Sequence, residues 1–146
     1  MLDYKYVIDH LDEVIERLNT RTGDYSYLRE LPKLDERRRE IIAQYDRALK
    51  PLGIGTMEHY GEDFASSGHL YIIRLKGHDA DYRNRVINEM AERGIACNVH
   101  YKPLPMHTAY KAMGFAIKDY PHAYAMYETE ITLPLHTKLN DEYLDY

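Results

Sequence analysis

The sequence predicts an α/β protein of the α+β type: a small antiparallel or mixed sheet packed with helices, preceded by a helical N-terminal extension. Three observations lead there. Apolar residues recur at helical spacing over residues 7–18, 34–49 and 82–91. Short β-branched and aromatic runs stand at 69–75, 95–99 and 131–133. Glycines and prolines fall at the joints between them.

Val7, Leu11, Val14 and Leu18, with Ile8 and Ile15, define a first helix whose other face carries Asp9, Asp12, Glu13 and Glu16. It ends near Asn19, before the break at Thr22-Gly23-Asp24. The stretch Tyr25–Lys33 is ambiguous, but Pro32 suits the first turn of a new helix. Leu34, Ile41, Tyr45 and Ala48, with Ile42 and Leu49, continue it until Pro51-Leu52-Gly53. HLYIIRL (69–75) reads as a strand. Asp79 or Asp81 can cap the next helix, whose buried stripe is Tyr82, Val86 and Met90 with Ile87 and Ala91, and Gly94 suits its C′ position. IACNV (95–99) reads as a second strand. Short helices are expected over 108–113 and 122–129, a short strand near 131–133, and a final turn capped by Asn140.

The chain has 146 residues, one domain's worth, enough to bury roughly 68–70% of its unfolded surface. The hydrophobic fraction of 45% includes 15 Tyr against two Phe and no Trp, so much of the core must satisfy hydroxyl groups. A mean hydropathy of -0.60 agrees. Nineteen basic against 24 acidic residues leave a net charge of -5, without the broad basic footprint of a nucleic-acid binder. The one basic run, Arg37-Arg38-Arg39, sits among Asp35, Glu36 and Glu40 and reads as a solvated helix face. No apolar run approaches the ~20 residues of a membrane span. The start has neither the basic region nor the apolar stretch of a signal peptide. The lone cysteine, Cys97, can form no intramolecular disulfide. A cytoplasmic setting, without membrane or nucleic-acid partners, is expected.

Eight histidines, at 10, 59, 69, 78, 100, 107, 122 and 136, include no HExxH and no i,i+4 pair, so no metal site is expected. Cys97 on a predicted strand reads as a small buried hydrophobe rather than a nucleophile. GxSxG, Walker and GxGxxG patterns are absent. The segment that invites chemistry is Asn98-Val-His-Tyr-Lys-Pro-Leu-Pro-Met-His107: a strand entering a loop with two His, a Tyr and a Lys, stiffened by two prolines. The same residues also suit a Tyr- and Pro-rich surface turn.

From about Leu34 to Tyr146 the chain resembles the C-terminal part of the DegT/DnrJ/EryC1/StrS family of pyridoxal-phosphate-dependent sugar aminotransferases. LDERRREIIAQYDRAL (34–49), SSGHLYIIRL (66–75), ERGIACNVHYKPLPMHTAYKAMGF (92–115) and ITLPLHTKL (131–139) occur in the family's order, followed by a final acidic helix. The HYKPLPMH form is similar to the branch acting on nucleotide-linked keto sugars in surface-glycan pathways. The resemblance implies the small domain of a fold-type I aminotransferase over 34–146, with 1–33 as a divergent helical extension. It implies transfer of an amino group, typically from glutamate, to a nucleotide-linked keto sugar. It places His100, Tyr101 and Lys102 on the substrate side, with His107 there too although its spacing departs from the commoner loop. Arg74 and the Leu133-Pro134-Leu135 turn read as structural.

In the family the Schiff-base lysine follows a serine closely. Here the three serines, Ser26, Ser66 and Ser67, precede no lysine at that spacing. The aspartate that pairs with the pyridine nitrogen belongs to the same upstream region. No catalytic or cofactor-binding residue is therefore assigned, and the chain alone is expected not to bind pyridoxal phosphate. The family's glycine- and alanine-rich entry to the long helix is replaced here by residues 21–32. Two further readings are a stand-alone binding or assembly module derived from this domain and, less favoured, a histidine-based metalloenzyme. The amphipathic helices 7–18 and 34–49 suggest a homo-oligomer, through exchange of the first helix about Thr22-Gly23, or a large domain as partner.

Overall fold

A computed structural model describes residues 4–144, the last two of them by backbone only. The chain divides into two compact units, Met1–Glu40 and Ile41–Tyr146.

In the first unit, α1 (Tyr4–Asp9) and α2 (Leu11–Asn19) replace the single helix expected over 7–18. His10 interrupts it at φ -128°, ψ 36°. Its ring stacks on Tyr6 at 4.2 Å and its Nδ1 lies 3.0 Å from the Tyr6 carbonyl, so a local side-chain contact competes with the helical path. Val7 and Ile15 are buried, as their apolar phase requires. Asp12 and Glu13 open α2 and Arg17 closes it, complementing the helix dipole. Residues 25–33, ambiguous in sequence, form a 3₁₀ turn over Ser26–Glu30 that leads into α3 (Leu31–Leu49), with Pro32 in its first turn. Asp24 Oδ1 accepts the Ser26 N–H at 2.9 Å, and Arg29 pairs with Asp12 at 2.7 Å. The basic run is locally offset: Arg37 meets Glu40 at 3.1 Å and Arg39 meets Asp35 at 2.9 Å.

The second unit is built on a three-stranded antiparallel sheet, β1 (Gly55–Thr56), β2 (Tyr71–Arg74) and β3 (Glu130–Leu133), in that order. Tyr71 pairs with Leu133, Ile73 with Ile131 and Arg74 with Glu130. Alternation places Tyr71, Ile73, Ile131 and Leu133 on one face, where they form the core with Ile42 of α3. Tyr45 and Leu49 pack against this cluster from α3, as do Val86, Ile87 and Met90 from α4 (Ala80–Glu92). Helix α4 starts as expected, Asp79 Oδ1 accepting the Tyr82 N–H at 2.8 Å, and stops at Gly94 with φ +81°.

Three expectations need correction. The strand expected at 95–99 contracts to a single antiparallel bridge, Asn98 with Thr132. The next N–H, that of Val99, goes to the Asn98 side chain at 2.8 Å instead of to a ladder. The two-residue β1 is the additional strand, too short for any period to betray it. Ala48 and Ala91 are exposed and Leu34 is 40% exposed. On α4 the inward position belongs to Arg83, 2% exposed, whose spacing to Val86, Ile87 and Met90 completes the true stripe.

Beyond the core lie α5 (Thr108–Ala112), α6 (Pro121–Thr129) and α7 (Asp141–Leu144), close to expectation. Helix α7 begins directly after Asn140, and residues 145 and 146, toward which the final helix was expected to run, lie outside the described residues. Among the described residues no helix is long and apolar enough to cross a membrane, and no group of three or more His, Cys, Asp or Glu could hold a metal.

Candidate functional site

Strand β3 carries the candidate site from beneath. All four of its residues are buried, and its second face presents Glu130 and Thr132. The Asn98 N–H donates to the Thr132 carbonyl at 3.1 Å, and the Thr132 N–H donates back at 2.7 Å. That exchange aligns the incoming chain antiparallel to β3. Two residues on, the His100 ring Nδ1 lies 3.0 Å from Thr132 Oγ1.

From this mount the loop turns outward. His100 is half-buried, while Tyr101 is 70% exposed and Lys102 is exposed. The Tyr101 ring meets the His100 ring edge-on, centroids 4.7 Å apart, across a cis peptide. Pro103 precedes a 3₁₀ turn over Leu104–Met106, and His107 returns so that its Nε2 lies 3.2 Å from the Lys102 carbonyl. The loop is thus closed on itself by its own second histidine. All four sequence-predicted residues, His100, Tyr101, Lys102 and His107, come together on it. Tyr101 and Lys102 offer a phenol and an amine to solvent, groups that can bind hydroxyls or phosphate oxygens.

Around the loop's base, burial pushes the Glu130 carboxyl up, opposed by the His100 backbone N–H as a hydrogen-bond donor and by the charges of Arg83 and Arg74. Arg74 Nε donates to Thr129 Oγ1 at 3.2 Å and its Nη2 to the Ala125 carbonyl at 3.1 Å, so this residue ties β2 to α6 as a structural group. Cys97 is half-buried against the core, its Sγ 3.6 Å from Met90 Sδ, and burial pushes its thiol up to about 11. A thiol held protonated is a poor nucleophile.

Sequence reasoning missed two groups. His59 is 3% exposed, stacked on Tyr71 at 5.5 Å, with Nδ1 3.2 Å from Ser66 Oγ. Burial, followed by the Lys50 charge, holds it below the usual histidine range against the pull of Asp46. The other is Glu130, whose burial follows from pairing and not from its type. A separate cleft of about 690 Å³, rimmed by Arg93, His136 and Lys138, opens near Pro134, at the other end of β3 from the His100 loop.

This chain belongs to the DegT/DnrJ/EryC1/StrS aminotransferase family, whose profile matches residues 25–146. It is 32% identical over 117 residues to the UDP-4-amino-4,6-dideoxy-N-acetyl-beta-L-altrosamine transaminase of Helicobacter pylori, a match covering 80% of this chain and 31% of that one. The fold superposes on the Streptococcus pneumoniae protein Spr1654, described as a candidate sugar aminotransferase, with a TM-score of 0.79 and 51% identity. That superposition covers 82% of this chain and 30% of that one. The chain therefore spans about a third of the length of these aminotransferase relatives. A shorter match has another source: 44 residues, 30% of this chain, are 52% identical to the serine–tRNA ligase of Acholeplasma laidlawii, of which they cover 10%.

Proposed function

We propose that residues 34–146 are the small domain of a pyridoxal-phosphate-dependent aminotransferase that moves an amino group, from glutamate, onto a nucleotide-linked keto sugar for surface-glycan synthesis in the cytoplasm. The observation that carries this reading is the His100–His107 loop, presented from a buried strand within a chain of this family. In that role Tyr101 and Lys102 meet the nucleotide sugar, His100 orients them from the strand, and His107 holds the loop's return. A rigid loop matters because a misplacement of about 1 Å can cost on the order of a hundredfold in rate.

The cofactor, when bound, supplies the electron sink for amino transfer. Two features support placing it on residues outside this segment. Lys102 is exposed, without the close serine of the family's Schiff-base site. Glu130, the carboxyl on the strand beneath the loop, is 4% exposed, which leaves almost none of it accessible to a ligand. Borohydride reduction of the chain with pyridoxal phosphate should label no single lysine stoichiometrically, and such labelling of Lys102 would overturn the assignment. In an enzyme that joins this domain to one bearing the lysine, His100→Ala and Tyr101→Phe should lower turnover or sugar affinity. Well-folded variants with unchanged kinetics would retire the loop as the substrate site.

Residues 1–33 we read as an extension of separate origin. The family profile begins at residue 25, so residues 1–24 lie outside it, whereas 25–33 fall within the match. Exposed apolar side chains, Leu52 at 71% and Phe64 at 51% among them, support association with a second copy or with a large domain. Sedimentation showing a monomer at high concentration would refute association with a second copy.

A further inference from the structure

The two histidines of the loop lie against oxygens of different kinds, and the difference decides where their hydrogens go. His107 Nε2 is 3.2 Å from the Lys102 carbonyl, an oxygen that can only accept. That nitrogen therefore carries a hydrogen and spends it inside the loop. His100 Nδ1 is 3.0 Å from Thr132 Oγ1, a hydroxyl that can give or receive. Here burial sets the direction.

Thr132 is 5% exposed, paired with Ile72 of β2 on one side and bridged to Asn98 on the other. Its main-chain N–H goes to the Asn98 carbonyl at 2.7 Å, and its own carbonyl takes the Asn98 N–H at 3.1 Å. The Asn98 side-chain oxygen is engaged by the Val99 N–H at 2.8 Å. Among the described residues, His100 Nδ1 is the one group in hydrogen-bonding reach of the Thr132 hydroxyl. If the ring donated to it, the hydroxyl hydrogen would be buried without an acceptor, the costlier arrangement. If the hydroxyl donates, both groups are satisfied and the ring hydrogen sits on Nε2. His100 Nε2 has no partner among the described residues, and it is not sealed from solvent as His59 Nε2 is.

We infer that Thr132 is a positioning residue: from β3 its hydroxyl donates to His100 Nδ1, committing the imidazole to the Nε2–H form as a fixed hydrogen-bond donor on the loop. This rests on reading the loop as the substrate site, and it deepens that reading by giving the site a polarity. The Lys102 ammonium can only donate, and the Tyr101 phenol can donate as well. A loop with these three groups favours a ligand rich in acceptor oxygens, phosphate oxygens above all. Valine at 132 would fill nearly the same volume on the strand and leave the imidazole free to hold its hydrogen on either nitrogen.

The test is imidazole nitrogen NMR on the 146-residue chain, comparing wild type, Thr132→Val and Thr132→Ser. Spectra are taken at about pH 8.5, above the ordinary range of histidine. Long-range proton–nitrogen correlations report which ring nitrogen is protonated and whether the other accepts a hydrogen bond. Wild-type His100 should show a protonated Nε2 and an Nδ1 displaced from the position of a free ring nitrogen. In Thr132→Val, Nδ1 should return to that position, and the excess of the Nε2–H form over the Nδ1–H form should fall about tenfold. Thr132→Ser should restore both, while the His107 ring and the Tyr71 and Ile73 amides stay unmoved in all three proteins. A protonated Nδ1 on wild-type His100 would overturn the inference without recourse to any variant. So would a His100 ring that is unchanged in the valine variant. UDP-glucose, titrated in parallel, should shift the His100 Nε2–H signal. If the wild-type chain fails to bind it, the substrate reading is refuted, whereas the position of the ring hydrogen, which needs no ligand, is decided separately.

Discussion

Replacing Tyr71 by phenylalanine removes one oxygen from the centre of the second unit. Tyr71 is 0% exposed, and its hydroxyl donates to Asp46 Oδ1 at 2.6 Å. The ring packs against Tyr45 at 4.8 Å and His59 at 5.5 Å, and phenylalanine keeps both contacts. What is lost is one hydrogen bond to a charged acceptor, which contributes about 1.5–3 kcal/mol. The Asp46 side chain is 26% exposed and retains Lys50 at 2.8 Å on its other oxygen, so water can replace the lost donor and the lower figure applies. For a unit of 106 residues, a loss of about 1.5 kcal/mol lowers the melting temperature by about 7 °C. Burial raises the Asp46 carboxyl, but the hydrogen bonds from Lys50 and Tyr71, with the Lys50 and His59 charges, outweigh it and hold the group below the usual carboxylate range. A lowered folded value means stability that is present above about pH 3.8 and lost as pH falls through the folded value. The difference between Tyr71→Phe and wild type should therefore be full at pH 7 and shrink once Asp46 is protonated. Calorimetry across pH 2.5–7 measures it. Equal melting at pH 7, or a difference that persists undiminished in acid, would refute the reasoning.

His59 titrates below its ordinary value of 6.5 in the folded chain, so its contribution is present above that pH and lost as pH falls through the lowered value. His59→Phe, which keeps the stack on Tyr71, should flatten the pH dependence of stability in that window as followed by urea titration. Asp79→Ala removes the cap of α4 and should cost about 1 kcal/mol, seen as a lower urea midpoint with an unchanged slope. Iodoacetamide at pH 7.5 should alkylate Cys97 far more slowly in the native chain than in urea, because burial holds the thiol up at about 11. Equal rates in the two states would contradict that placement.

The elements that could be read from the chain are those whose signals are local. Helix α4 carries its own cap at Asp79, its apolar spacing and its stop at Gly94, and all three recur in the structure. Strand β2 likewise announces itself in YIIR. The break at His10 depends on a ring stacking on Tyr6, a choice no periodicity records. Arg83 and Glu130 are charged types, and composition assigns them to solvent; Arg83 is accommodated by the main-chain carbonyls of Tyr127 and Glu130, 44 and 47 residues distant in sequence. The loop residues of the candidate site were legible by type and by family resemblance. Their support was not, since Thr132 lies 32 residues from His100 and pairs with it only after the sheet forms.

The sheet's margins have a bearing on how the protein meets other chains. One margin is β1, two residues wide, and the other is the single Asn98 pair beside β3. At about 3.3 Å per residue, an extended peptide laid along β1 would find a ladder of only about 7 Å. Strand addition from outside, the usual route to amyloid-like templating, has almost no purchase there. Any assembly this chain enters is thus left to side-chain surfaces, whose shape and charge are specific, and the hazard of indiscriminate edge-to-edge growth is confined to the state before the sheet closes.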